Sequence, residues 1–446
     1  MAIEEEGCNN EDIRISLLGG NHNKGQNGAS FLGSVFNLSS TVVGAGIMAL
    51  PATIKVLGIG LGISTIIFMA VLTNFSIDIL LRFSGSNNNS YASVMGDAFG
   101  NWGRRLLQVC VLINNIGILV VYMIIIGDVL SGTSSDGVHH AGVLEGWFGE
   151  QWWTGRHFLL LVITLLVFAP LAFCKRIDSL RHTSALAVAL AVVFLIITAG
   201  ITIYKLFTGG IKMPRFLPNV TDITSFWRLF TVVPVIVTAY ICHFNVHSIE
   251  NEMKDPHRIR SVVRASLAIC CIIYIMTSLF GYLLFGDSTL DDVLANFNSD
   301  LGVPFSHALS DAVRISYALH LMLVFPVLFY PLRVNVDGLF FPSARALESA
   351  KWRFASINFG LIIVVFVIAN FVPSIWDAFQ FSGATATVSL AFILPAAIAL
   401  KNVPGIATKE DKILSMFMII LAVASNAVAI YSDAYAVFNK NSSPDK

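Results

Sequence analysis

Phe36-Asn37-Leu38-Ser39-Ser40-Thr41-Val42-Val43-Gly44-Ala45-Gly46-Ile47-Met48-Ala49-Leu50-Pro51 is the stretch on which the fold turns. It lies inside an apolar segment of bilayer-spanning length, about 20 residues, yet its centre resists helix. Gly44, Ala45 and Gly46 carry almost no side chain, and glycine tolerates non-helical dihedrals. Ser39, Ser40 and Thr41 place hydroxyls just before them. In hydrocarbon, the N–H and C=O groups freed by a broken helix need protein or a polar cavity to face. Secondary transporters use such interrupted helices near mid-bilayer to build a site for a small zwitterion. The stretch therefore points to a solute carrier and away from a membrane enzyme.

Composition agrees. The chain has 446 residues, 55% of them hydrophobic and only 13% charged, with mean hydropathy +0.74. That balance excludes a soluble globular domain of this length. The 28 basic and 28 acidic residues cancel, so no nucleic-acid partner is implied. Six cysteines are scattered without metal-ligand spacing and read as small apolar residues.

Residues 1–30 are polar and Gly/Asn-rich, and they read as a disordered cytosolic tail without a signal peptide. A transmembrane domain over 31–438 and a short C-terminal tail, 439–446, follow. Eleven segments of spanning length fall near 31–54, 59–83, 106–131, 157–174, 183–207, 227–250, 262–285, 307–332, 354–371, 376–400 and 414–437. With the N-terminus in the cytosol, alternation puts Arg104, Arg105, Lys175, Arg176, Lys254, Arg258, Arg260, Lys351 and Arg353 on the inside. The opposite loops hold mainly Lys205, Lys212, Arg215 and Arg228, all around one connection, together with Asp287, Asp291, Asp292 and Asp300, an asymmetry that fits the positive-inside rule. Asn219-Val220-Thr221 then becomes an outer or lumenal sequon, whereas Asn88-Asn89-Ser90 faces the cytosol.

The sixth span is disturbed in the same way. Pro234, Thr238, Tyr240, Cys242, His243, Asn245 and His247 crowd its middle. Five spans separate this break from the first, the arrangement expected of two five-helix repeats related by inversion, each opening with a discontinuous helix.

At this point the chain resembles a known family: the amino acid/auxin permease superfamily, in its branch of sodium-coupled neutral and vacuolar amino-acid transporters. Ser34 to Ser39 with Gly44-Ala45-Gly46-Ile47 match the first span. Cys242-His243-Phe244-Asn245-Val246-His247-Ser248-Ile249-Glu250-Asn251-Glu252-Met253 is similar to the branch's Cys-His-x-x-Val-x-x-Ile-x-x-Glu-Leu run. Phe325-Pro326-Val327-Leu328-Phe329-Tyr330-Pro331-Leu332-Arg333 is similar to its Pro-x-x-x-x-Pro-x-Arg run. The resemblance implies an all-α fold of the leucine-transporter type, with eleven helices as a 5+5 inverted repeat plus one, and amino-acid transport.

Particular residues take roles on this reading. N–H groups around Val43, Gly44, Ala45 and Gly46 are expected to bind a substrate carboxylate, favoured by the positive end of the half-helix that follows. Carbonyls near Thr238, Ala239 and Tyr240 are expected to accept from the substrate ammonium, with Cys242 and His243 shaping the pocket. The competing reading of His243 is an imidazole bonded between packed helices. One of Asn114 and Asn115 is expected to cap a broken helix. Asp78 with Arg82 and Asp311 with Arg314 have the spacing of intrahelical pairs. Arg333, Lys401 and Lys412 read as positive-inside anchors. Ser382, Thr385, Thr387 and Ser389 line the pathway or bond across helices.

The coupling ion is where the chain departs from its sodium-driven relatives. They carry Asn where this chain has Ser40, and Thr where it has Val324. A valine side chain cannot ligate a hard cation that wants oxygen. One turn before Val324 lies His320, an ionisable group near the midpoint of its span and expensive at that depth. His320 is expected to titrate where sodium would otherwise sit, coupling transport to protons or dispensing with sodium. The alternative is a neutral histidine bonded between helices, with transport either sodium-coupled or replaced by amino-acid sensing. A channel filter and an enzyme's clustered His, Asp or Cys are both missing from the pattern.

The expected partners are an amino-acid substrate, neutral or acidic, and the lipid bilayer, with the protein a monomer. No metal or cofactor is called for beyond a coupling proton or sodium ion. The vacuole or another internal membrane is the expected location, because the outer loops lack the cysteines that plasma-membrane relatives use for a disulfide.

Overall fold

A computed structural model describes residues 28–84, 90–135, 138–211, 213–298, 300–372, 386–403 and 405–440. The tail up to residue 27, Asn88 and Asn89, the start of the tenth span with Ser382 and Thr385, and the tail from 441 lie outside the described residues.

The described chain is helical apart from a small antiparallel hairpin, Thr133–Ser135 with Val138–His140. Helix α1 (Phe31–Val42) opens at Ser30, whose side chain accepts from Gly33 N, and ends at Val43, where the backbone turns extended (φ −75°, ψ 98°). Helix α2 (Gly46–Arg82) resumes at once and bends at Gly58. Then come α3 (Tyr91–Ser131), α4 (Arg156–Ala172), α5 (Arg181–Phe207) and α6 (Ile223–Ala239). They are followed by α7 (His243–Glu252), α8 (Ile259–Phe285), the short α9 (Val293–Asn296) and α10 (Ser306–Phe340). Last are α11 (Lys351–Phe371), α12 (Ser389–Lys401) and α13 (Lys409–Lys440). The first crossing is α1 with the start of α2, the second the rest of α2. Helices α3, α4 and α5 make the third to fifth, α6 with α7 the sixth, and α8, α10, α11, α12 and α13 the remainder. Both discontinuities fall in the crossings that the sequence singles out.

Gly58 is the elbow between the first two crossings. Its φ of 75° is a left-handed value that glycine adopts without strain. A Cβ there would also lie 2.6 Å from the backbone carbonyl carbon of Leu217. The amides beyond the elbow, Ile59 N and Gly60 N, donate to Arg215 O (3.1 Å) and Phe216 O (3.0 Å), so the connection between α5 and α6 is strapped across it.

Helix α10 carries two prolines, and its neighbours repair the damage. Pro331 has no N–H for Val327 O, and Asn245 Nδ2 from α7 donates to that oxygen instead at 3.1 Å. Two residues on, Arg333 is not the interfacial anchor that the sequence suggests. It is buried, and its guanidinium donates to Ala172 O (2.7 Å), Cys174 O (2.9 Å) and Asn358 Oδ1 (3.2 Å) over the Phe354 ring. Arginine's planar fork suits the two carbonyls left by the frayed end of α4 and the Asn358 amide oxygen of α11 better than it suits water. Lys401 and Lys412 are exposed, as expected of anchors. The Arg82–Asp78 pair forms (2.8 Å), and Arg82 also clasps Asp411 with both terminal nitrogens. Arg314 reaches Asp311 only at 4.0 Å and donates to Val129 O and Ala141 O.

Helix α3 runs from the basic end of the bundle, at Arg104, to the opposite end at Asp128. There Asp128 pairs with Arg156 of α4, and Lys55 Nζ donates to Thr289 O at 2.9 Å. Asp292 caps α9 by accepting from Leu294 N (2.9 Å). It is half-buried, and burial pushes its carboxyl up to about 6. A raised value favours the folded state below the ordinary carboxylate range, and that preference fades as pH rises through 6. An Asp292→Asn variant keeps a capping side chain and is expected to melt above the wild type at pH 7–8. The difference should vanish by pH 4, which differential scanning fluorimetry across pH would check.

Candidate functional site

The two breaks face each other. Val43–Ala45 interrupts α1 and α2, Tyr240–Cys242 interrupts α6 and α7, and all six residues are buried. Gly46 brings the halves into contact: a Cβ on it would lie 2.8 Å from the Ala239 Cα, a backbone atom that cannot swing aside. Gly46→Ala is therefore expected to cut transport by more than about tenfold, since overpacking of about 1–3 kcal/mol is placed directly between the breaks. A radiotracer uptake assay corrected for surface expression would check it.

The broken segments are bonded more fully than the sequence suggests. Val43 N donates to Ser39 O (2.8 Å), Ile47 N to Gly44 O (3.2 Å) and Met48 N to Ala45 O (3.1 Å), which leaves the amides of Gly44 to Gly46 at the mouth of α2. Three successive carbonyls of the first break each meet a side chain. Val42 O accepts from Tyr274 Oη at 2.6 Å, Val43 O lies 3.0 Å from His320 Nε2, and Gly44 O accepts from Tyr317 Oη at 2.6 Å. Tyr274 Oη is also 2.6 Å from Ala239 O, in the second break. The three tyrosines that matter most here, Tyr274, Tyr317 and Tyr122 (its hydroxyl packed against Gly44), have no place in the sequence reading, and Asn245, noted there only as a polar residue in the sixth span, donates to Thr41 Oγ1 at 3.0 Å. Nothing in periodicity marks them; the only signal is a polar tip at mid-span, where a hydroxyl needs a partner.

His320 has carbonyl oxygens on both sides. Its Nδ1 lies 2.7 Å from Ala187 O of α5, opposite the Nε2 contact with Val43 O, and its ring stacks on Tyr317. A neutral imidazole has one donor and one acceptor, so both contacts become hydrogen bonds only when both nitrogens carry protons. Ser40 and Val324 lie buried nearby in sequence, and the Ser40 hydroxyl turns back to Asn37 O (3.1 Å).

His243 is buried, with Nε2 3.0 Å from Ser76 Oγ. Ser76 spends its one hydroxyl proton on Ala391 O, so the imidazole is the donor to the serine oxygen. This ties α7 to α2 and α12. Thr238 bonds within its own helix, to Pro234 O. Tyr240 packs edge-on against Tyr274 with centroids 5.0 Å apart, and Cys242 O accepts from Asn245 N. Neither Asn114 nor Asn115 caps a break. They form a relay in which Thr387 donates to Asn114, Asn114 to Asn115, and Asn115 to Leu328 O. The reason is position: they face α10 and α12, and the tyrosines already hold the break carbonyls.

A cavity of about 1140 Å³ opens at the basic end of the bundle, between α3, α7 and α10. Arg104, Gln108, Phe244, His247, Glu250 and Tyr330 border it, and no residue of either break does. The cavity thus reaches in from the basic end as far as Phe244, and the Asp128–Arg156 pair lies at the opposite end of α3. Glu252, the motif's glutamate, lies at the cavity rim and accepts from Ile177 N (3.0 Å) and Asp178 N (2.7 Å), fixing α7 to the turn before α5.

Residues 27–438 match a family model described as transmembrane amino acid transporter protein. Amino acid transporter AVT6A of Arabidopsis thaliana is 68% identical over 93% of this chain and 90% of its own length. AVT6B of the same plant is 66% identical over 93% and 92%. The sodium-coupled neutral amino acid symporter 2 of Danio rerio is 27% identical over 84% and 76%. Among solved structures, MhsT in complex with L-phenylalanine superposes with a TM-score of 0.57 at 13% identity, covering 91% of this chain and 97% of that one. A mutant of the Eremococcus coleocola manganese transporter gives 0.55 at 12% identity, covering 93% and 88%. These two share the fold, of the leucine-transporter type.

Proposed function

This chain belongs to the transmembrane amino acid transporter protein family, and on that premise we propose that it is a secondary active carrier of amino acids working by alternating access, coupled to protons or independent of sodium. The observation that carries the reading is His320, set between Val43 O of the first break and Ala187 O. Protonated, the imidazole supplies a positive charge beside the break without a metal ion. Deprotonated, it leaves one carbonyl facing a nitrogen lone pair, so the arrangement of α1, α5 and α10 depends on the proton. The amides from Gly44 to Gly46 take the substrate carboxylate and the carbonyls near Ala239 its ammonium. The cavity at the basic end is the cytosolic mouth, and an internal membrane such as the vacuole is the location that the vacuolar branch supports.

Uptake of labelled glutamine, alanine, aspartate and glutamate into proteoliposomes tests this, with pH and sodium gradients imposed separately. Acceleration by the pH gradient is the expected result. Acceleration by sodium alone would overturn the coupling, and saturable binding without uptake of any of the four would replace the carrier with a sensor.

A further inference from the structure

Two carbonyls from opposite breaks converge on one oxygen. Tyr274 Oη, on α8, lies 2.6 Å from Val42 O and 2.6 Å from Ala239 O. A phenol has one proton, and a carbonyl has none to give in return. At any moment one contact is a hydrogen bond and the other is an approach of two oxygens without a proton between them. The hydroxyl is fully buried, so no bulk water makes up the shortfall. What fits this point better is a group with several N–H donors and a positive charge, because it bonds both carbonyls at once and each bond is charge-assisted.

We propose that the Tyr274 hydroxyl is a tethered occupant of the point where the substrate's ammonium group binds, and that substrate displaces it. The inference rests on the carrier reading and adds to it one oxygen from the first break, Val42 O, and a competitor built into the protein. The tyrosine keeps two buried carbonyls partly satisfied between cycles. It also sets a threshold: ligands with a primary ammonium group displace it, and quaternary amines, which have no N–H, do not.

The test is Tyr274→Phe in proteoliposomes beside the wild type. Removing an internal competitor lowers KM for the best amino-acid substrate, by about 3–10-fold if the hydroxyl's bond has ordinary strength, while kcat stays equal or falls. An unchanged or raised KM would make Tyr274 a helix clamp and overturn the assignment. Wild-type protein that takes up no amino acid would instead sink the carrier reading, before the variant is compared. Should Tyr274→Phe fold too poorly to assay, its yield of monodisperse protein is measured with and without methylammonium, which can bridge the bared carbonyls. Recovery by methylammonium but not by tetramethylammonium supports the proposal, and no recovery overturns it.

Discussion

Replacing His320 with alanine is expected to abolish the acceleration of uptake by a pH gradient and to lower uptake without a gradient by at least about tenfold, the effect of 1.4 kcal/mol on a barrier. The substitution removes the imidazole from between Val43 O and Ala187 O, one donor when the ring is neutral and two when it is protonated, and each bond lost from a buried carbonyl costs about 1–3 kcal/mol. It also removes an imidazole, a group able to change charge near neutral pH, from Val43 O of the first break. His320→Gln separates these two losses. A glutamine amide can still donate to one of the carbonyls but cannot change charge, so this variant should keep some exchange of labelled for unlabelled substrate while losing the response to pH. Exchange and gradient-driven uptake, measured side by side in the same liposomes, are the check. A full pH response in His320→Gln would move the coupling site elsewhere.

The largest effect on stability is expected at Arg333. Arg333→Ala removes three hydrogen bonds and a cation stacked 4.6 Å above the Phe354 ring. Hydrogen bonds from a charged group are worth about 1.5–3 kcal/mol each and do not fully add, so their loss costs about 3–5 kcal/mol. In a chain of this size that corresponds to a fall in melting temperature of about 3–5 °C, at roughly 1 °C per kcal/mol. Arg333→Lys should recover less than half of it, because an ammonium cannot span Ala172 O and Cys174 O with a planar fork. Detergent-solubilised protein followed by size-exclusion thermostability would give both numbers. Equal melting of Arg333→Lys and wild type would return Arg333 to the role of a simple positive anchor.

The contrast between these two residues explains what the sequence could and could not tell. Spans, breaks and eleven-helix order were legible because hydrophobic length and the Gly-Ala-Gly and Pro-rich interruptions are local properties. His320 was legible because an ionisable group at mid-span is costly enough to demand a reason. Arg333 misled because its position near a span end has the same signature whether the guanidinium faces headgroups or turns inward to the end of α4. Asn114 and Asn115 misled for a related reason. Their depth was right, but which neighbour they face depends on the rotation of α3, and that is fixed by packing against α10 and α12. Tyr122, Tyr274 and Tyr317 were invisible because a tyrosine in an apolar run looks like any other aromatic until a carbonyl is found 2.6 Å from its hydroxyl.

The strap across Gly58 has one more consequence. Ile59 and Gly60 lend their amide protons to Arg215 O and Phe216 O, in a connection far along the chain. Those two protons exchange with deuterium only when segment 215–217 lifts off the elbow. Their exchange rate is therefore a clock for motion at the end of the bundle opposite the cavity, readable without any label, and it should run at a different speed when amino acid is bound.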